Sequence, residues 1–176
     1  MEFIYNKITE EGIEYLRSVT APERVFAGEA IEYDYYHDEM SEYGTAAPDA
    51  VVQAVSTEEV SAVMKYAYEH RIPVTPRGAG TGLAGGAVAI YGGIVLSLEK
   101  MNKILEWDLD NLTVVVEPGV LVMELANAAL EKDLFYPPEP GEKTASIGGN
   151  VMTNAGGMKA VGYGVTRNYV VSMEKI

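Results

Sequence analysis

Two glycine-rich segments are the residues of this chain whose type and spacing best suit ligand binding. The first spans residues 76–86 (PRGAGTGLAGG), and the second spans residues 146–157 (SIGGNVMTNAGG), about seventy residues later. Glycine lets the main chain approach a ligand closely because it has no Cβ. Successive main-chain N–H groups in such loops form concave anion sites. Together the two segments predict one large ligand that carries a phosphate or a diphosphate.

The first segment also contains the pattern G-x-G-x-x-G, formed by Gly80, Gly82 and Gly85. In a Rossmann dinucleotide fold a helix begins at these glycines and directs its N-terminus at the diphosphate. Here the following residues, GGAVAIYGGIVLSL, lead into a strand and not into a helix. Glu99 is the acid at the expected distance, but without that helix it does not hold the position of the Rossmann acid. A P-loop is excluded as well, because no Gly-Lys-Ser/Thr occurs. Two interpretations remain, a strand-to-strand loop that binds a diphosphate and a plain glycine-rich turn.

Composition limits the classes of function. The chain has 176 residues, the length of one domain, and a formal net charge of −13. Such an acidic surface repels nucleic acids and anionic membranes. Cysteine is absent, which excludes disulfides, thiolate zinc sites, iron–sulfur ligation and a cysteinyl cofactor bond within the chain. No apolar stretch suits a transmembrane segment, and the acidic N-terminus is unlike a signal peptide, so a cytoplasmic location is expected.

The elements that must position the two glycine segments form an α/β pattern. We predict helices over residues 6–19, 57–70 and 121–132, with Ser56 or Thr57 capping the second, and strands over residues 50–55, 72–75, 93–98, 104–107, 113–116 and 169–176. Strands that alternate with helices indicate a mixed sheet flanked by helices. The last strand would leave an unpaired sheet edge, which predicts homodimerisation or pairing with another chain.

A tyrosine- and acid-rich segment, IEYDYYHDEMSEYGTAAPD, precedes the regular part of the chain and lacks clear periodicity. The favoured interpretation is an extended arm laid over the domain, with its rings buried and its hydroxyls in water. A tyrosine-lined ligand site is the alternative. Helical spacing also places one set of apolar residues on a single side of the second helix and directs another set of the third helix inward. The first set is Val60, Val63, Met64 and Ala67, and the second is Val122, Leu125, Ala126, Ala129 and Leu130.

Few other side chains suit a catalytic, metal-binding or ligand-binding role. His70 ends a predicted helix, where the dipole favours a cation, and His37 with the carboxylates around it is a poor metal ligand set, so no metal site is predicted. Arg77 suits two roles equally, charge assistance to a diphosphate and a structural salt bridge. Lys143 and Thr144 suit ligand contact better than catalysis, because neither has an adjacent base in the sequence.

With both segments in place, the chain resembles the PCMH-type FAD-binding domain of the vanillyl-alcohol oxidase superfamily. Within that superfamily it is similar to the FAD subunit of glycolate oxidase and to D-lactate dehydrogenases. The resemblance covers residues 48–176 and rests on PDAVVQAVSTEEV, PVTPRGAGTGLAGGAV, MNKILEWDLDNLTVVVEPGV and LFYPPEPGEKTASIGGNVMTNAGGMKAVGYGVTR, in that order. We therefore predict an N-terminal helix and arm in residues 1–46 from their composition. The resemblance implies the FAD-binding domain in residues 47–176, incomplete at its C-terminus and without the substrate domain.

The resemblance also implies which residues bind FAD. Those that would wrap the diphosphate with main-chain N–H groups are Pro76, Arg77, Gly78, Ala79, Gly80, Thr81 and Gly82. Those that would run beside the flavin and its ribityl chain are Pro140, Gly141, Glu142, Lys143, Thr144, Ala145 and Ser146. Gly148 and Gly149 would permit a tight entry, and Thr153, Asn154, Ala155 and Gly156 would complete the pocket. Some relatives attach the flavin to a histidine of the first loop, which here reads Arg77-Gly78-Ala79-Gly80, so non-covalent FAD is expected.

By the same resemblance the whole protein is an FAD-dependent oxidoreductase of D-2-hydroxy acids. It would move a hydride from substrate C2 to flavin N5, with an electron-acceptor protein as partner. The domain that would supply the catalytic residues lies outside this chain, so no catalytic residue is assigned, and the chain alone is not expected to turn over substrate. One alternative is a non-catalytic half-domain that needs a partner chain to complete the flavin site. Another is a nucleotide-binding module without redox function.

Overall fold

The computed structural model describes residues 5–138, 140–174 and 176, without the side chain of Tyr43. Residues 1–4, Glu139 and Lys175 lie outside the described residues, and they include parts of the predicted N-terminal region and of the predicted C-terminal strand. The chain divides into two compact units, one that runs to Lys100 and includes Ile176, and one that begins at Met101. This division does not test the boundary between residues 46 and 47, which stays a prediction.

The first unit is built on a four-stranded mixed sheet, which confirms the predicted α/β class. Its strands are β1 (Val25–Ala27), β2 (Ala50–Gln53), β3 (Val74–Arg77) and β4 (Ile94–Ser97), in the order β1-β2-β4-β3. β1 is antiparallel to β2, and the other pairs are parallel. The central strands β2 and β4 are buried apolar runs, as expected where a parallel sheet is covered on both sides.

The strand that leads into the first glycine segment lies two residues further along the chain than predicted, at 74–77 instead of 72–75. Its register pairs Pro76 with Leu96 and Arg77 with Ser97. Pro76 has no N–H, which is tolerated because β3 is at the edge of the sheet. The parallel partner, and not local propensity, therefore sets the point where the glycine loop begins.

Two helices belong to the first unit, α1 (Glu10–Val19) and α2 (Thr57–His70). α2 has the predicted bounds, and Ser56 is its N-cap, with Oγ accepting a hydrogen bond from the N–H three residues later at 3.3 Å. Thr9 caps α1 in the same way, so that helix begins at residue 10 and not at residue 6. Cap side chains thus decide both helix starts.

The predicted tyrosine arm is only partly extended and only partly buried. β1 and short 3₁₀ turns at Tyr33–Tyr36 and Ser41–Tyr43 belong to the N-terminal region, and β1 pairs with β2. The ring of Tyr35 is 9% exposed, whereas Tyr33 is 62% exposed. The expectation that the rings are buried as a group is therefore wrong, because the turns direct neighbouring tyrosines to different sides.

The second unit contains an antiparallel hairpin and three helices. The hairpin strands are β5 (Ile104–Asp108) and β6 (Thr113–Val116), close to the predicted pair, and the helices are α3 (Val122–Leu130), α4 (Ile147–Thr153) and α5 (Ala160–Tyr163). A buried apolar cluster holds them together and comprises Val120, Val122, Leu125, Ala145 and Ile147. α4 was not predicted from the sequence, because its glycines have low helix propensity and its packing through Ile147 is a tertiary contact.

Two residues on the predicted apolar sides of α2 and α3 are not buried. Met64 of α2 is 37% exposed, and Leu130, the last residue of α3, is 62% exposed. In α2 the buried residues are only Val63 and Ala67, so the core-facing stripe is narrower than the apolar spacing suggests. α3 ends before the two additional residues that the prediction gave it, which leaves Leu130 at an open end.

The predicted C-terminal strand is wrong for the residues that the structure describes. A 3₁₀ turn occupies Thr166–Tyr169, and residues 170–174 and 176 have no strand pairing. Apolar, β-branched residues made this segment look like a strand, but it has no partner strand in the described chain, so the sheet edge proposed for homodimerisation is not present there. Within the described residues, no helix is both long and apolar enough to cross a membrane.

Candidate functional site

The first glycine segment is a strand-to-strand loop, as its sequence predicts. No helix occurs between β3 and β4, so the Rossmann arrangement is absent. Gly80 and Gly85 both have φ of 75°, a conformation that favours glycine. Within the described chain, the main-chain N–H groups of residues 78–84 have no hydrogen-bond acceptor. Unpaired donors in a glycine-rich loop are what an anionic diphosphate needs.

Arg77 holds the start of this loop through hydrogen bonds of its side chain. Its guanidinium is buried and donates to the carbonyl oxygens of Asp34 at 2.8 Å and of His37 at 2.7 Å. It forms no ion pair with any described carboxylate, so the salt bridge considered from the sequence is replaced by bonds to main-chain carbonyls. Burial lowers the pKa of Arg77, while the nearby Tyr35 and Glu99 raise it. The guanidinium of Arg77 thus has a structural role, in hydrogen bonds to main-chain carbonyls.

Gly80 lies directly over that guanidinium. A Cβ at Gly80 would overlap Nη2 of Arg77. Glycine is therefore required at this position for two reasons, the positive φ and the close approach to Arg77. By contrast, a Cβ at Gly86 would meet nothing within 4 Å.

Asp38 is a residue that the sequence pattern did not assign to the site. The residue is 3% exposed, and its carboxylate accepts a hydrogen bond from the N–H of Gly85 at 2.7 Å. In the sequence it is one of several acids around His37, and 47 positions separate it from Gly85. No local signal could have found this contact, because it exists only once the N-terminal region packs on the loop.

A polar cavity of about 230 Å³ adjoins the start of the loop. Its lining residues are Glu32, Asp34, Tyr35, Gln53, Arg77, Gly78, Ala79 and Glu99. The Tyr35 hydroxyl donates to Glu99 at 2.7 Å, and Gln53 Nε2 donates to the same carboxylate at 2.8 Å. Burial, reinforced by that bond to Glu99, raises the pKa of Tyr35 to about 12. Because several carboxylates surround it, the cavity itself repels a diphosphate, and the open N–H groups of the loop are the anion-binding element.

The second glycine segment is partly helical, which differs from the loop that its composition suggests. Ser146 caps α4 and accepts a hydrogen bond from the N–H of Gly149 at 3.3 Å. Gly148 lies against Pro118, where an added Cβ would come within 2.7 Å of the proline Cβ and 2.9 Å of its carbonyl oxygen. The N–H of Gly148 donates to that oxygen at 2.8 Å. The tight approach predicted for these glycines is thus made to the protein's own chain.

The residues before α4 form an exposed turn with internal hydrogen bonds. Glu142 accepts hydrogen bonds from both the N–H and the hydroxyl of Thr144, and these bonds lower the pKa of Glu142. The carbonyl of Lys143 accepts from Met123 at 3.1 Å, which ties the turn to α3. Lys143 itself is exposed, as are Gly141, Glu142 and Thr144. These four residues are therefore accessible for ligand contact.

The residues after α4 are tied to the 3₁₀ turn that follows. Asn154 ends the helix with φ of 50°, and its Oδ1 accepts from the Arg167 N–H at 3.0 Å. The carbonyl of Ala155 accepts from both the N–H and the hydroxyl of the buried Thr166. Asn150, within α4 and absent from the predicted contacts, is 4% exposed, and its Nδ2 has no partner among the described residues. This amide nitrogen is therefore a buried, unsatisfied donor of the second unit.

The predicted contacts therefore fall into two groups, each assembled within its own unit. Pro76 to Gly82 lie in the first unit, and the contacts from Pro140 to Gly156 lie in the second. That both groups bind one ligand stays a prediction. Among the described residues, no group of three or more histidine, aspartate or glutamate side chains is arranged to hold a metal ion.

Comparison with known proteins gives this arrangement a family context. A family model described as an FAD binding domain matches residues 48–176. A D-lactate dehydrogenase of Anaerostipes hadrus is 56% identical over 172 residues, covering 98% of this chain and 36% of the relative. The glycolate oxidase subunit GlcD of Bacillus subtilis is 42% identical over 170 residues, covering 96% of this chain and 36% of the relative. The chain thus spans about a third of the length of these relatives.

Solved structures give the same fold. An alkyldihydroxyacetonephosphate synthase aligns with a TM-score of 0.84 at 19% identity, over 96% of this chain and 36% of that one. A p-cresol methylhydroxylase with bound substrate aligns with a TM-score of 0.72 at 27% identity, over 82% of this chain and 29% of that one. The mixed sheet and its helices are therefore shared by solved structures of low sequence identity.

Proposed function

Because the chain belongs to the FAD binding domain family, with FAD as its cofactor, we propose that it supplies the FAD-binding portion of a dehydrogenase of D-2-hydroxy acids. The observation that carries the binding site is the run of main-chain N–H groups at residues 78–84, which lack acceptors among the residues that the structure describes. Seven consecutive open donors, in a loop that needs glycine at position 80, fit a diphosphate.

The residues predicted to bind FAD have two roles in this proposal. Residues 78–82 bind the diphosphate through N–H groups, while Arg77 holds the loop through the carbonyls of Asp34 and His37. The exposed turn 141–144 and the residues around Asn154 contact the flavin and ribityl portion. FAD, when bound, supplies a hydride acceptor for the oxidation of a 2-hydroxy acid to a 2-oxo acid. No residue of this chain is assigned to proton abstraction, and binding is non-covalent.

The substrate class rests on the relatives. Their names include D-lactate dehydrogenase, a glycolate oxidase subunit and D-2-hydroxyglutarate dehydrogenase, the last from Stutzerimonas stutzeri at 37% identity over 165 residues. All three names refer to 2-hydroxy acids, which supports the class without selecting one acid. Reoxidation by an electron-acceptor protein is part of the same proposal.

A non-catalytic half-domain that needs a partner chain is the second candidate. The C-terminal strand that first suggested this candidate is absent from the described residues. Large apolar side chains of the second unit are nevertheless exposed to solvent, which supports the candidate. Met158 is 86% exposed and Met152 is 73% exposed. FAD binding by the chain alone separates the candidates, because a half-domain that needs a partner chain to complete the flavin site should not bind FAD by itself.

Titration of the purified chain with FAD, followed by flavin fluorescence and absorbance, tests the proposed site. Gly80→Ala should weaken binding by about tenfold or more, since left-handed strain of about 1–3 kcal/mol adds to the overlap with Arg77. Gly86→Ala is the matched control, because its Cβ would meet nothing within 4 Å, and its affinity should equal that of the unmodified chain. Absence of saturable binding by the folded, unmodified chain would overturn the proposal.

A further inference from the structure

Residues 34–39, which precede the part of the chain matched by the family model, hold the first glycine loop by four hydrogen bonds. The carbonyls of Asp34 and His37 accept from Arg77, and the N–H of Glu39 donates to the carbonyl of Gly82 at 3.1 Å. The Asp38 carboxylate accepts from the N–H of Gly85 at 2.7 Å. The loop is therefore held at its start, its middle and its far end.

Among the described residues of this segment, Asp38 is the one whose side chain accepts a hydrogen bond from a main-chain N–H of the loop. One carboxylate oxygen accepts from Gly85, and the other accepts from the N–H of Met40 at 3.0 Å, so the carboxylate bridges the segment's own turn and the loop. The residue is 3% exposed. A Cβ at Gly82 would lie 3.9 Å from Oδ2, which places the carboxylate directly under the loop.

The charge of Asp38 opposes the proposed function of the loop. A buried carboxylate beside a diphosphate site repels the ligand, and low local polarity strengthens that repulsion. Its geometric effect has the opposite sign, because the bond to Gly85 holds residues 78–84 in the conformation that leaves their N–H groups open. Preorganised donors bind more tightly since less ordering accompanies binding.

We propose that Asp38 is a positioning residue for FAD, which raises affinity by fixing the glycine loop despite its unfavourable charge. This inference rests on the proposed function. It is distinguished from a simple charge effect by sign: removal of a repelling charge alone would tighten FAD binding, whereas loss of the hydrogen bond to Gly85 would weaken it.

The test compares FAD dissociation constants of the full chain and three variants. Asp38→Ala should bind about tenfold or more weakly, the size expected for loss of a hydrogen bond to a charged group. Asp38→Asn keeps the volume and one acceptor, so its affinity should lie between that of Asp38→Ala and that of the unmodified chain. Glu42→Ala removes the same charge from an exposed side chain of the neighbouring turn and should bind as the unmodified chain does. Equal or tighter binding by Asp38→Ala would overturn the inference.

Amide hydrogen exchange without FAD provides a readout independent of the cofactor. Exchange at Gly85 should accelerate in Asp38→Ala while the amides of β2 and β4 stay protected, which shows that the fold is intact. Unchanged exchange at Gly85 would contradict the positioning role. If the unmodified chain binds no FAD, the proposed function fails, whereas normal binding with no effect of Asp38→Ala rejects the inference alone.

Discussion

Arg24 and Glu59 form a two-point ion pair in the first unit, with Nη1–Oε2 and Nη2–Oε1 distances of 2.6 and 2.7 Å. Both side chains are 15% exposed, and Arg24 also donates to the carbonyl of Gln53 at 2.8 Å. The hydrogen bond from Arg24 lowers the pKa of Glu59. The pair therefore joins the turn before β1 to α2 beside the end of β2.

Replacement of Arg24 should destabilise the first unit. Arg24→Met is expected to reduce the free energy of unfolding by about 1–3 kcal/mol at neutral pH, because it leaves a largely buried carboxylate without its charged donor. Urea unfolding measures the change. Arg17→Met is the control, since Arg17 pairs with a Glu14 side chain that is 70% exposed, and ion pairs with such an exposed partner contribute little. An equal loss in both variants would contradict the assignment.

The same pair predicts a dependence of stability on pH. Because the pKa of Glu59 is lower in the folded than in the unfolded chain, the stabilisation is complete above the unfolded value of about 4.3 and is lost as pH falls through the folded pKa. The difference in unfolding free energy between the unmodified chain and Arg24→Met should therefore shrink in acid. If this difference in unfolding free energy stays constant as pH falls through the folded pKa of Glu59, the charge of Glu59 does not contribute to the stabilisation.

Tyr35 should ionise only in strong alkali. Its pKa of about 12 lies above that of an unfolded tyrosine, near 10, so the stabilisation by its buried neutral hydroxyl is complete below about pH 10 and is lost as pH rises toward 12. Tyrosinate absorbance during an alkaline titration measures this. Burial also raises the pKa of Tyr66 and Tyr136, so Tyr35→Phe should reduce the late step by one tyrosine, and Tyr33→Phe, at an exposed position, should leave its size unchanged.

Gly148 should tolerate no side chain. Gly148→Ala is expected to lower the free energy of unfolding by about 1–3 kcal/mol, because its Cβ would overlap Pro118 and the cost of overpacking exceeds the helix propensity gained. Gly162→Ala, in α5, provides the control, since its Cβ would meet nothing within 4 Å. That control should be neutral or stabilising in thermal unfolding. A neutral Gly148→Ala would show that α4 can shift away from Pro118.

FAD should protect the amides of residues 78–84 from hydrogen exchange. These N–H groups have no acceptor within the described chain, so they should exchange quickly until a diphosphate accepts them. The amides of α2, already bonded within the helix, are the internal reference. Binding of FAD without protection at residues 78–84 would place the diphosphate elsewhere.

Short-range chemistry was sufficient to predict the α/β class, the start of α2 and the absence of a helix after the first glycine segment. The apolar runs of β2 and β4 suit a sheet covered on both faces, and Ser56 caps its own helix. A glycine-rich stretch does not favour helix formation. The resemblance carried by four sequence blocks, two of which contain the glycine segments, also identified the FAD binding domain family from the residues alone.

Long-range contacts set the point where β3 meets the glycine loop, allow α4 to form, and leave residues 169–174 without a strand. Long-range contacts also decide the roles of two side chains. Arg77 donates to the carbonyls of Asp34 and His37, and Asp38 accepts from the N–H of Gly85. These outcomes depend on contacts between residues far apart in the chain, or on the lack of a pairing partner. Local propensity carries no information about such contacts, and therefore the residues that hold the loop were found in the fold and not in the motif.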